Sequence, residues 1–189
     1  MRLATSTCIF PGRRQGGGTP LTQSIAMCRE CGFEVVDLNF CFAGNRKCGS
    51  KFCSDDWLEY VDELGEAGAK YGVIFTQSHA PYDSNLRRAD RPMTEEDLAW
   101  YYESVRRSIY ASAKLGVKWV VTHAQTDVLD DEMGFEQNIK TNIEFYKPIL
   151  EWAKKYGTGI AVENMAEFHP AKTRHRFTAI VDEQIAIID

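Results

Sequence analysis

The sequence has no long hydrophobic run: every apolar stretch is shorter than the roughly 20 residues that a helix needs to span a membrane. The short N-terminal stretch Leu3–Phe10 is interrupted by three hydroxyl residues and lacks the pattern of a secretory signal peptide. We therefore expect a cytoplasmic protein with no membrane partner.

The sequence also lacks an excess of basic residues. Lysine and arginine total 22 against 27 acidic residues, which gives a formal net charge of -5. Proteins that bind nucleic acid through its phosphates usually carry a basic excess, so the composition disfavours nucleic acid as a partner. Because 44% of the 189 residues are hydrophobic and no linker or low-complexity segment interrupts them, we expect one folded domain over residues 1–189.

Cysteine is absent after residue 53, although the chain contains six cysteines. In a cytoplasmic protein, such residues are more often thiols or metal ligands than members of disulfides. Cys28 and Cys31 form a short-spaced pair, but a predicted strand separates them from the later cysteines, which disfavours a four-cysteine zinc site. We expect thiols.

The sequence does contain a regular alternation of short β-rich runs with amphipathic stretches. Helices are predicted to begin at Thr19-Pro20, Ser54 and Thr94, where a hydroxyl side chain can cap them. A fourth helix contains Pro148, where we expect a kink or a break, and a last amphipathic stretch covers Phe177–Ile188. The predicted strands are Leu3–Ile9, Phe33–Asn39, Val73–His79, Val117–His123 and Ile160–Asn164. Five strands that alternate with five helices predict an α/β fold with a parallel sheet.

A polar residue that can bind metal or substrate lies at or near the end of each strand after the first. These residues are Asp37, His79, His123 and Glu163, at separations of 42, 44 and 40 residues. In a (β/α) barrel the carboxyl ends of the strands form the active-site face, so these side chains would meet there. Two imidazoles and a carboxylate suit a divalent ion such as zinc, manganese, cobalt or iron. A single histidine at a strand end is also often a hydrogen-bonded structural residue.

Four segments of the chain resemble one known superfamily. They are Gly32-Phe33-Glu34-Val35-Val36-Asp37-Leu38, Ser78-His79-Ala80-Pro81-Tyr82, Val121-Thr122-His123 and Ala161-Val162-Glu163-Asn164. Together they are similar to the strand motifs of the xylose isomerase-like TIM barrel superfamily, which includes sugar phosphate isomerases and epimerases, and endonuclease IV.

The resemblance implies a metal-dependent (β/α)8 TIM barrel. Glu163 would be a metal ligand and the catalytic carboxylate that transfers a proton. His79 and His123 would be metal ligands or substrate contacts, and Tyr82 would contact substrate. Asp37 would contact substrate or support the residues that do. The implied cofactor is a divalent metal ion: manganese, magnesium, cobalt or zinc. A sixth strand would end about 40 residues after Glu163, beyond Asp189, so we expect a truncated barrel of about five βα units.

The resemblance predicts a sugar isomerase or epimerase that moves a proton on a sugar or sugar phosphate. One alternative is an endonuclease IV-like enzyme of DNA repair, which the net charge disfavours. Another is a non-catalytic remnant or binding module, because the ligands of later strands have no counterpart. Five strands of a barrel would leave open sheet edges, so we also expect a homo-oligomer.

Overall fold

Five parallel strands form a single sheet in the computed structural model, which describes residues 2–10, 19–82, 93–125, 134–165 and 177–189. The strands follow one another in chain order, β1-β2-β3-β4-β5, as they do in a (β/α) barrel. They are β1 (Ala4–Ser6), β2 (Val35–Asn39), β3 (Ile74–His79), β4 (Trp119–His123) and β5 (Gly159–Glu163). The predicted fold class, five βα units of a TIM barrel, is confirmed.

Five helices connect and follow the strands. They are α1 (Leu21–Glu30), α2 (Trp57–Tyr71), α3 (Glu95–Lys114), α4 (Phe135–Tyr156) and α5 (Val181–Ile188). The predicted cap of α3 is confirmed, because the Thr94 hydroxyl accepts a hydrogen bond from the Asp97 amide at 3.1 Å. The predicted caps of α1 and α2 were wrong. Pro20 precedes α1 without a side-chain cap, and a short 3-10 turn, Lys51–Cys53, shifts the start of α2 past Ser54 to Trp57.

Two other sequence expectations differ from the structure. The first strand ends at Ser6, and a 3-10 turn covers Thr7–Ile9, because the Ser6 hydroxyl accepts a bond from the Cys8 amide and bends the chain. The expected break at Pro148 was wrong, since α4 runs through it without interruption. Proline removes one backbone hydrogen bond, but buried residues on both sides of it hold the helix against the core.

The hydrophobic core lies between the helices and the outer face of the sheet. One cluster joins α1 and α2 to β2 and includes Ile25, Leu38 and Leu64, all inaccessible to solvent. A second joins α3 and α4 to β4, around Ile109 and Val120. Because side chains alternate along a strand, the neighbours of these outward-facing residues lie on the inner face of the sheet.

Two large apolar side chains are exposed on the inner face at the amino-terminal ends of β3 and β4. Trp119, the first residue of β4, is 54% exposed there, and Ile74 of β3 is 49% exposed. The Trp119 ring covers Gly159 so closely that a Cβ atom at Gly159 would lie 2.5 Å from ring carbons. This face is therefore only partly covered by the residues that the structure describes. None of the helices in this part of the chain is long and apolar enough to cross a membrane.

Candidate functional site

The carboxyl ends of β3, β4 and β5 each carry one side chain into a shared site. His79, His123 and Glu163 are the last residues of these three strands, and His123 pairs in register with Glu163. The structure thus brings together the three residues whose spacing in the sequence suggested a common site.

A β-bulge places His79 in this site. Val36 pairs with Phe75, but the next residue of β2, Asp37, pairs with Gln77, so Thr76 is an extra residue in β3. Phe75 packs outward against α2. If side chains alternated strictly along β3 from Phe75 onward, His79 would also point toward the helices. The extra residue reverses the alternation, so Ser78 faces α3, where its hydroxyl lies 2.7 Å from that of Ser112. His79 then faces inward.

Four polar side chains form a continuous network at this edge of the sheet. His79 Nδ1 lies 2.9 Å from both carboxylate oxygens of Asp37. His79 Nε2 lies 3.3 Å from Glu163 Oε2, and His123 Nε2 lies 3.4 Å from the same oxygen. The carboxylate of Glu163 therefore faces two imidazoles, and the carboxylate of Asp37 contacts the other ring nitrogen of one of them, His79.

Exposure differs sharply along the network. The Asp37 side chain is 7% exposed, whereas the Glu163 side chain is 41% exposed. Burial lowers the pKa of His79, but the hydrogen bond that His79 donates to Asp37 and the negative charges of Asp37 and Glu163 outweigh it and raise the pKa above its ordinary value. The two carboxylates thus favour the protonated, positively charged form of His79.

Tyr82 borders the site beside His123. The centroids of the two rings are 4.7 Å apart, close enough for direct ring contact. The loop that carries Tyr82 is held by Cys41, whose thiol donates a hydrogen bond to the Ala80 carbonyl at 3.2 Å. Burial raises the pKa of Cys41 to about 11, so the thiol stays protonated. Sequence analysis assigned Cys41 no role; its position two residues after the end of β2 was the available signal.

A second residue that the sequence analysis missed supports the segment after β4. The Asn142 side chain, wholly buried on α4, accepts a hydrogen bond from the Gln125 amide and donates one to the Gln125 carbonyl. A polar residue on the buried stripe of a helix was the signal for it. Gln125 lies two residues after His123, so this contact helps to fix the end of β4.

The donor atoms of the site are of the types that divalent transition metals bind. Glu163 Oε2 lies 3.3 and 3.4 Å from the two imidazole nitrogens, and these atoms are of the kinds that bind zinc. In the described part of the chain, however, no three histidine, cysteine, aspartate or glutamate side chains form a ready-made metal site. All six cysteines lie in that part, and none forms a disulfide.

The chain is similar in structure to several solved proteins that are longer than it is. A D-tagatose 3-epimerase-like protein is 20% identical, with a TM-score of 0.69, and the match covers 100% of this chain and 60% of that one. A 3-keto-D-glucoside 4-epimerase from E. coli is 14% identical, with a TM-score of 0.64 and coverage of 100% and 64%. The IOLI protein, solved with a zinc atom, is 17% identical, with a TM-score of 0.54 and coverage of 86% and 51%.

The first two of these likenesses show that the chain spans about three fifths of the length of its structural neighbours. Identities this low establish the fold only. No curated protein matches the chain in sequence. The family model for the xylose isomerase-like TIM barrel matches residues 25–184, which include every strand-end residue of the site. The chain belongs to the xylose isomerase-like TIM barrel family.

Proposed function

We propose that the protein acts as a sugar isomerase or epimerase, in which metal-assisted proton transfer occurs at the carbon beside a carbonyl group. The observation that supports this most is the position of the Glu163 carboxylate, which is partly exposed and has two imidazole nitrogens 3.3 and 3.4 Å from one of its oxygens. A carboxylate is the group that family resemblance assigns to proton transfer, and its exposure leaves it open to substrate.

In this proposal Glu163, His79 and His123 hold a divalent ion, and Glu163 also moves the substrate proton. When bound there, such an ion would supply Lewis acidity toward the oxygen of a carbonyl substrate. The two imidazoles orient the Glu163 carboxylate, and the Tyr82 ring beside His123 provides an apolar face for the carbon skeleton of the sugar. Since three protein donors leave coordination positions to water, we expect weak binding and less than one ion per chain after dialysis.

We also propose that the protein is a homo-oligomer in the cytoplasm. Trp119 and Ile74 are large apolar side chains exposed on the inner face, and a second copy would cover them. The absence of disulfides among six cysteines is typical of a reducing compartment. Light scattering checks the first part: a monodisperse monomer of 21.5 kDa would contradict it.

The function is tested by hydrogen exchange at the reacting carbon. The chain is incubated in D2O with a panel of ketoses, aldoses and their phosphates, with Mn2+, Co2+, Mg2+ or Zn2+ added in turn. We expect deuterium at the carbon beside the carbonyl, detected by NMR, and its loss by at least two orders of magnitude in Glu163→Gln. Glu66→Gln is the matched control, because Glu66 is exposed on α2.

Two results would contradict the proposal. Exchange that is equally fast in Glu163→Gln would remove the carboxylate from the chemistry. Cleavage of abasic DNA, lost in the same variant and without exchange on any sugar, would instead identify a DNA-repair enzyme.

A further inference from the structure

The carboxylate of Asp37 is buried against His79. Its side chain is 7% exposed, and both of its oxygens lie 2.9 Å from the same nitrogen, Nδ1 of His79. Asp37 is therefore placed to act on His79.

The contact determines which nitrogen of His79 carries the proton. An ionised carboxylate can only accept hydrogen bonds, so Nδ1 must donate, and a neutral His79 then has its lone pair on Nε2. That lone pair is directed into the site, where Nε2 lies 3.3 Å from Glu163 Oε2. Two lone pairs that face each other at this distance repel unless a cation lies between or beside them. The arrangement thus suits the binding of a cation by both atoms.

We infer that Asp37 is a positioning residue that fixes His79 in the Nδ1–H form and so directs its Nε2 lone pair at the bound ion. The claim about metal binding rests on the proposed function, whereas the claim about which nitrogen of His79 carries the proton does not. Carboxylates that hold metal-binding histidines in this way commonly contribute 10-fold to 100-fold to metal affinity. Asparagine at this position can donate to Nδ1 as well as accept from it, so the alternative Nε2–H form becomes accessible.

The experiment compares Asp37→Asn with the unchanged chain. Two-dimensional ¹H–¹⁵N NMR on metal-free protein, above the pH at which His79 loses its positive charge, reports which nitrogen is protonated. We expect the Nδ1–H form in the unchanged chain and a shift toward Nε2–H in Asp37→Asn. Titration with Co2+, followed by its visible absorption, should show affinity about 10-fold to 100-fold lower in the variant.

The matched control is Asp62→Asn, which removes an exposed carboxylate paired with Lys114 on the helical side of the molecule. It should change neither the His79 signals nor the affinity for Co2+. An Nε2–H form in the unchanged chain would overturn the inference even if Asp37→Asn fails to fold. Identical His79 signals in the unchanged chain and in Asp37→Asn would also overturn it. So would a shift of His79 to the Nε2–H form with no change in the affinity for Co2+. If the unchanged chain binds no Co2+, the proposed function fails while the NMR result still decides the role of Asp37.

Discussion

Replacing Asn142 by alanine should destabilise the protein strongly, because this side chain makes two hydrogen bonds to the backbone of a neighbouring segment and one to its own helix. Its Oδ1 accepts a hydrogen bond from the Gln125 amide at 2.6 Å. Its Nδ2 donates to the carbonyl oxygens of Gln125 at 3.0 Å and Asn138 at 2.9 Å. Asn142 is inaccessible to solvent and Gln125 is 3% exposed, so water does not reach these groups readily.

The expected loss follows from the groups that Asn142→Ala leaves behind. The amide and the carbonyl of Gln125 each lose their hydrogen bond to this side chain, and losing one partner of a buried hydrogen bond costs about 1 to 3 kcal/mol. The carbonyl of Asn138 keeps its helical bond, and alanine improves helix propensity by about 0.5 kcal/mol. The free energy of unfolding should therefore fall by about 2 to 5 kcal/mol, and the melting temperature by roughly 5 to 15 °C for a chain of this length.

Urea and thermal unfolding, followed by circular dichroism and tryptophan fluorescence, measure this loss. Gln137→Ala is the matched control, since Gln137 lies on the same helix and its amide makes only an exposed bond of 3.3 Å to Thr141. It should change the free energy of unfolding by less than about 0.5 kcal/mol. A loss below about 1 kcal/mol in Asn142→Ala, with both variants unfolding in one transition, would refute the reasoning.

Two further changes test the sheet and a charged cluster. Gly159→Ala places a methyl group against the Trp119 ring, so it should lower the free energy of unfolding by about 1 to 3 kcal/mol. In a double-mutant cycle, Gly159→Ala should cost less when Trp119 is already alanine. The same cost with and without the Trp119 ring would contradict the clash. Burial raises the pKa of Glu103, but hydrogen bonds from Arg106 and Arg107 outweigh it and lower the pKa below its ordinary value. The ionised form of Glu103 therefore stabilises the fold at pH values above the ordinary pKa that this residue has in the unfolded chain. This contribution is lost as the pH falls through the lowered pKa of Glu103 in the folded protein. In urea unfolding at neutral pH, Glu103→Gln should thus be less stable than the unchanged chain by roughly 1 kcal/mol. In acid the two proteins should have the same stability, and a difference in stability that persists in acid would contradict the prediction.

The regular spacing of polar residues predicted much of the site because it follows from local structure. A strand, a helix and two loops together take about 40 residues, so equivalent positions of successive units recur at that interval. His79, His123 and Glu163 are strand-end residues for this reason, and parallel neighbours bring them to one edge of the sheet. The boundaries that were wrong lie at two helix starts and at the end of the first strand, where 3-10 turns and nearby hydroxyl groups compete with the regular element.

The sequence by itself thus determined the order of the elements, the parallel sheet and the residues at its carboxyl edge, since hydrophobic period and turn residues act over a few positions. Only the tertiary structure decided which way His79 points and what holds it. The bulge at Thr76 depends on how β3 pairs with β2, which no pattern within β3 specifies. The contact between Asp37 and His79 joins residues 42 positions apart and depends on that same pairing. One extra residue in a strand reverses every side chain beyond it, so the register between strands decides which polar residues enter the site.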